Sequence, residues 1–124
     1  MVTLLVHDYD AARDWYCHRL GFAVVEDAGL PGGKRWLVLA PPGGAGARLL
    51  LARAATPAQA ARVGDQTGGR VFLFLHTDDF ARDFALWSAR GVVFREPPRR
   101  ESYGTVAVFA DLYGTLWDLI EPAG

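Results

Sequence analysis

The chain has 124 residues, 51% of them hydrophobic, which suits one compact unit with a sizeable core. Thirteen basic against fourteen acidic side chains leave a formal net charge of −1, which excludes bulk electrostatic attraction to nucleic acid or to an acidic membrane surface. Cys17 is the only cysteine, so an intrachain disulfide is excluded, and no apolar run approaches the ~20 residues of a spanning helix; a reducing, cytoplasmic setting is expected.

Residues 2–6 read as a strand. Asp8 and Asp10 are good N-cap types, residues 11–20 read as a helix, and Gly21 ends it. Strands are expected over 22–26, 35–40 and 48–52, separated by a loop at 29–33 and a turn at 41–46. Thr56 followed by Pro57 starts a short helix through Arg62, and residues 64–69 read as a linker. The order then recurs. A strand at 71–75 leads to Asp78 and Asp79, which cap a helix over 80–90 that Gly91 stops. A strand at 92–95, a loop at 96–102 and a closing hairpin complete the chain.

A shift of 70 residues lays Leu5 on Leu75, Asp8 on Asp78, Gly21 on Gly91 and Gly44 on Gly114. Cap, helix stop, strand and turn all stay in phase, as an internal duplication requires. The expected fold is α+β, two tandem βαβββ modules over 1–55 and 69–124 with a linker helix at 56–68. Two curved sheets of this kind, meeting in one chain or across a dimer, would make a cup with helices outside, and a concave pocket is expected where such halves meet.

The closing hairpin holds the most informative residue. Runs at 105–110 and 115–121 are rich in Val, Phe, Thr, Trp and Ile, and residues 111–114 form a short loop with Gly114 free to take positive φ. Asp118 interrupts the second run and shares a strand face with Leu116 and Ile120. A carboxylate on such a face must be hydrogen-bonded, paired or bound to something. Arg48 and Arg70, near strand starts, are candidate partners. Phe72 and Phe74 alternate on one face, and Trp36 and Tyr103 add further aromatic surface.

The motifs Trp15-Tyr16, Leu20-Gly21-Phe22, Thr77-Asp78-Asp79-Phe80, Gly91-Val92-Val93-Phe94 and Phe109 through Gly114 with Trp117-Asp118-Leu119 resemble the vicinal oxygen chelate superfamily. That superfamily holds glyoxalase I, extradiol dioxygenases and the bleomycin-resistance proteins. The resemblance spans essentially the whole chain and implies a homodimer. Its metal enzymes place ligands on the first and last strand of each half. Carried over, these positions fall on Met1, near Leu50, on Phe72 and on Asp118. Only Asp118 can serve as a ligand among the last three, because Phe72 and Leu50 carry no donor atom.

His7 and His76 could join Asp118 as displaced donors for Zn, Ni, Mn or Fe, and strand parity allows it for His76. His76 lies four residues beyond Phe72, however, ~13 Å along a strand. The resemblance therefore implies a binder of a small, partly aromatic molecule in an apolar cup without a tightly held metal. Ligand contacts are expected from Phe72, Phe74, Trp36, Tyr103 and Arg48, with Asp118 as the polar or catalytic group. The alternatives are a divalent-metal lyase, isomerase or dioxygenase using Asp118, and a protein-interaction module with a vestigial pocket. Nucleic acid and membrane are not expected partners.

Overall fold

Asp8 stops one element and starts the next. Its backbone is extended, at φ −142° and ψ 126°, and its carboxylate accepts the Ala11 N–H at 2.7 Å. This N-cap supplies one of the acceptors that a helix's first turn lacks. Asp79, rather than Asp78, does the same for the later helix, accepting from Arg82 N–H at 3.0 Å. A computed structural model describes residues 1–124, which fold as two units, Met1–Gln66 and Thr67–Gly124.

The first unit runs β1 (Val2–Val6), α1 (Tyr9–Leu20), β2 (Ala23–Gly29), a 3-10 turn (Pro31–Gly33), β3 (Arg35–Ala40), β4 (Leu49–Arg53) and α2 (Pro57–Arg62). Its sheet order is β1-β4-β3-β2, parallel only between β1 and β4. The register puts Leu4, Leu37 and Leu51 side by side on one face, where they are fully buried with Tyr16 and Ala12 of α1. Each such leucine contributes about 1.5–3 kcal/mol. The other face carries Thr3, Leu5, Leu50, Ala52 and Trp36.

The segment read as a linker is tied to this unit. The Gln66 amide nitrogen donates to the Thr3 carbonyl at 2.8 Å, and its amide oxygen accepts the Leu5 N–H at 2.9 Å. One side chain thus satisfies two backbone groups that β1 would otherwise leave open along its edge.

The second unit runs β5 (Leu73–His76), α3 (Phe80–Ala89), β6 (Val93–Phe94), β7 (Arg99–Glu101), β8 (Gly104–Ala110) and β9 (Leu116–Pro122). The sheet order is β5-β9-β8-β6, with β7 also paired to β8. The expected loop at 96–102 therefore hides a strand. All three residues of β7 are charged and exposed, so it carries no apolar alternation for a sequence to show. On the α3 side, Phe109 stacks on Trp117 at 6.1 Å and meets Trp87 edge-on at 5.6 Å.

The β8–β9 loop is organised by Asp111, whose carboxylate accepts from Tyr113 N–H and Thr115 N–H, both at 2.9 Å. Gly104 opens β8 at φ 153°, and a Cβ there would sit 2.3 Å from the Glu121 carbonyl oxygen. Gly104→Ala is therefore expected to destabilise the chain by about 1–3 kcal/mol, since two backbones must separate to admit a methyl group. A denaturant melt matching the native one would show that the hairpin yields freely. No helix is long and apolar enough to cross a membrane.

Candidate functional site

β9 lies between β5 and β8, so its residues 117–120 have a paired neighbour on each side. Trp117 and Leu119 turn toward the buried face, and alternation sends Asp118 to the other. There Asp118 stands opposite Phe74 on β5 and Val108 on β8. It is only 8% exposed, and its Oδ1 is buried with no hydrogen-bond partner. Burial pushes its carboxyl above the ordinary carboxylate value; the Arg99 guanidinium pulls it down and Glu96 pushes it up. Arg99 is itself engaged by Glu96 at 3.0 Å and Glu101 at 2.7 Å, so its charge is largely neutralised before it reaches Asp118.

The cation facing Asp118 thus comes from β7. Arg48 is exposed just ahead of β4 and Arg70 is exposed ahead of β5. Phe74 is 55% exposed beside Asp118, and Tyr103, 54% exposed on the β7–β8 turn, lies close enough to Arg99 to favour its charged form. Asp118, Phe74 and Tyr103 therefore belong to one open sheet face and its rim. Phe72 precedes β5 and turns away, its ring meeting Trp117 edge-on at 6.1 Å. Its backbone N–H donates to the Leu116 carbonyl at 2.8 Å, so it is tied to β9 beside Leu116 and not opposite Asp118.

The first unit carries Trp36 in a separate cleft of about 580 Å³. Leu5, Leu50 and Trp36 give it apolar walls, and Lys34, Arg53 and Gln59 add polar ones. Trp36 is 38% exposed, and its indole N–H donates to the Glu26 carboxylate. Two guanidinium groups lie over the Tyr9 ring, Arg35 at 5.2 Å and Arg53 at 5.3 Å from its centre. Sequence reasoning missed Arg53, Lys34 and Arg99. Each is a common surface cation whose placement comes from pairing or loop geometry, and no local pattern marks it.

The donor set for a metal can be tested on the sheet register. Asp118 stands opposite Phe74, not Phe72, which shortens the distance reckoned from the sequence: His76, opposite Ile120, is one diagonal step from Asp118. A third donor is missing. The other same-face neighbours are Val108, Leu116 and Ile120, and no group of three His, Cys, Asp or Glu side chains comes together to hold an ion. His7 is exposed, just past β1 in the first unit. These residues do not fit a resident metal, which needs at least three protein ligands in the usual catalytic sites.

A sheet with a helix on one face and an open face on the other, in two copies, defines a class. Residues 1–119 match the Glyoxalase/Bleomycin resistance protein/Dioxygenase superfamily, and the chain belongs to it. An uncharacterised protein of Shewanella frigidimarina is 52% identical over 97% of this chain and 90% of its own length. Among solved structures, UcmS2 is 28% identical with a TM-score of 0.82, covering 96% of this chain and 93% of its own. TnmS3, an antibiotic binding protein from Streptomyces sp. CB03234, is 31% identical with a TM-score of 0.79, covering 98% and 93%.

Proposed function

We propose that this chain binds a small, partly aromatic organic molecule on the open face of its second sheet, without a tightly held metal. The observation that carries the reading is the partnerless Oδ1 of Asp118 beside the half-exposed ring of Phe74. A buried polar atom without a partner carries a desolvation cost, and a ligand N–H or O–H removes it. The ligand's flat part then covers Phe74, and Tyr103 reaches it from the rim. The similarity to TnmS3 supports the same kind of ligand. The elevated proton affinity of Asp118 also suits it to pass a proton to a bound molecule, so metal-free acid–base chemistry is available to the same residue.

The test is a melting scan against fused-ring phenols and amines, repeated with Zn, Ni, Mn and Fe alone. A ligand at a hundredfold excess over its Kd stabilises the native chain by ~2.7 kcal/mol. Phe74→Ala and Asp118→Leu are each expected to lose most of that gain. Equal gains in native chain and variants would place the ligand elsewhere. Stabilisation by a metal alone, lost in Asp118→Ala, would favour the metal-dependent alternative.

A further inference from the structure

We propose that the helix side of the second unit carries a separate binding site, one that takes a small zwitterion: an ammonium and a carboxylate joined by an apolar body, as in an amino acid or a dipeptide. It lies on the face of the sheet opposite to Asp118 and does not depend on that site. Register fixes the face. Arg100 on β7 pairs with Thr105 on β8, Thr105 pairs with Glu121 on β9, and the Glu121 carboxylate accepts the Phe80 N–H of α3 at 2.8 Å. Between the first turns of α3 and this row of three side chains lies a groove of about 430 Å³, in the size range of small-molecule pockets.

The internal repeat accounts for the open space. Arg35 stands in the first unit where Thr105 stands in the second, two residues before the buried Leu37 and Ala107. Its guanidinium bridges from β3 to α1, donating to Asp10 at 2.7 Å and lying over the Tyr9 ring. Tyr9 follows the cap Asp8 just as Phe80 follows the cap Asp79. Thr105 is too short for that bridge, and the groove occupies the space an arginine fills in the first unit. Its charges are unspent. Arg100 is exposed with no carboxylate paired to it, because its neighbours Glu96 and Glu101 are both engaged by Arg99 on the other face. Glu121 uses Oε1 on the Phe80 N–H and Asp79 uses Oδ1 on the Arg82 N–H, which leaves each carboxylate a second oxygen. The groove thus has a guanidinium at one end, carboxylates at the other and the Thr105 hydroxyl between. At their strand positions Arg100 and Glu121 are two inter-strand spacings apart, about 10 Å, and both side chains can lean toward a ligand between them. A lone anion would meet the carboxylates and a lone cation the guanidinium, so the matching ligand carries both charges. Phe84, half-buried and stacked on Phe80 at 5.7 Å, and Pro98 receive its apolar body, and its charged ends take charge-assisted hydrogen bonds.

The experiment is calorimetric titration of the full chain with L-phenylalanine, with 2-phenylethylamine, which lacks the carboxylate, and with 3-phenylpropanoate, which lacks the ammonium. Phenylalanine is expected to bind at least about tenfold more tightly than either. Arg100→Gln brings phenylalanine toward the amine, and Glu121→Gln brings it toward the acid. Arg100 lies in an exposed strand of three charged residues, and glutamine at 121 keeps an oxygen for the Phe80 N–H, so neither variant disturbs the fold. Thr105→Arg returns the first unit's side chain to the groove and abolishes binding. Asp118→Leu leaves phenylalanine binding intact, which separates this site from the one on the open face. Phenylalanylglycine distinguishes the two sources: tighter binding than phenylalanine assigns the groove to short peptides, weaker binding to free amino acids. No binding of either zwitterion, equal affinity for phenylalanine and its two singly charged analogues, or binding that survives Arg100→Gln and Thr105→Arg would overturn the proposal.

Discussion

Asp118→Leu is expected to be more stable than the native chain at neutral pH, by about 1–3 kcal/mol, the cost of a buried polar group left without a partner. Asp118 is 8% exposed among Phe74, Val108, Leu116 and Ile120, and its Oδ1 has no partner. Leucine at that position removes the desolvated charge and adds apolar contact. The gain must depend on pH. Burial raises the folded carboxyl's proton affinity above that of the unfolded chain. Between the unfolded and folded values the native state therefore holds more protons, and stability falls as pH rises.

Above the folded value the penalty is complete. Below the unfolded value the carboxyl is neutral in both states and the penalty is gone. The advantage of Asp118→Leu should accordingly shrink on acidification toward the ordinary carboxylate range. Asp10 and Asp27 titrate with the opposite sign, because hydrogen bonds from Arg35 depress both. The measurement is thus the difference between paired denaturant melts of native chain and variant at pH 7 and below about pH 4. A variant less stable at neutral pH would mean that the carboxylate is well partnered, and the binding role assigned to it would fall with that result. Stability gained at the expense of ligand binding is the pattern a functional residue should show.

Phe109→Ala is expected to cost about 3–5 kcal/mol, most of the stability a unit this small can hold. Phe109 is 0% exposed and touches three aromatic rings: Trp117 at 6.1 Å, Trp87 at 5.6 Å and Phe94 at 5.7 Å. These come from β9, α3 and β6, so the cavity left by alanine would unpin three elements at once. Phe109 also neighbours Val108, which flanks Asp118 across the strand pair, so ligand binding should weaken along with the fold. Phe109→Leu keeps much of the volume and should cost clearly less. Chemical denaturation of the three proteins checks this. A loss below about 1 kcal/mol for the alanine variant would show that the aromatic cluster is not what holds the sheet to α3.

The local code of this chain is strong where backbone chemistry is strong. Asp8, Asp79 and Thr56 cap helices because a short side-chain oxygen reaches the second or third N–H of a first turn, a relation three residues wide. Gly21 ends α1 at φ 78° for an equally local reason. Apolar runs at β1, β3, β8 and β9 announced themselves by β-forming side chains, and the in-phase recurrence of these signals exposed the duplication and hence the fold class. The oddity of Asp118 was legible too, since a carboxylate in an apolar alternating run conflicts with its surroundings whatever the partner strands are.

Partnership was another matter. β7 is three charged residues after two prolines, and it becomes a strand only because β8 offers it hydrogen bonds. That pairing brings Arg99, rather than Arg48 or Arg70, to act on Asp118. Register decided that Phe74, and not Phe72 two residues earlier in the same alternation, stands opposite Asp118. Lys34 and Arg53 line one cleft because a 3-10 turn and the end of a parallel pair converge there, joining parts of the chain that share no local pattern. Caps, breaks and alternation act within a few residues and were determined by sequence alone. Which charge meets which, and which ring lines which wall, depends on strand register and chain crossing, and only the tertiary structure decided it.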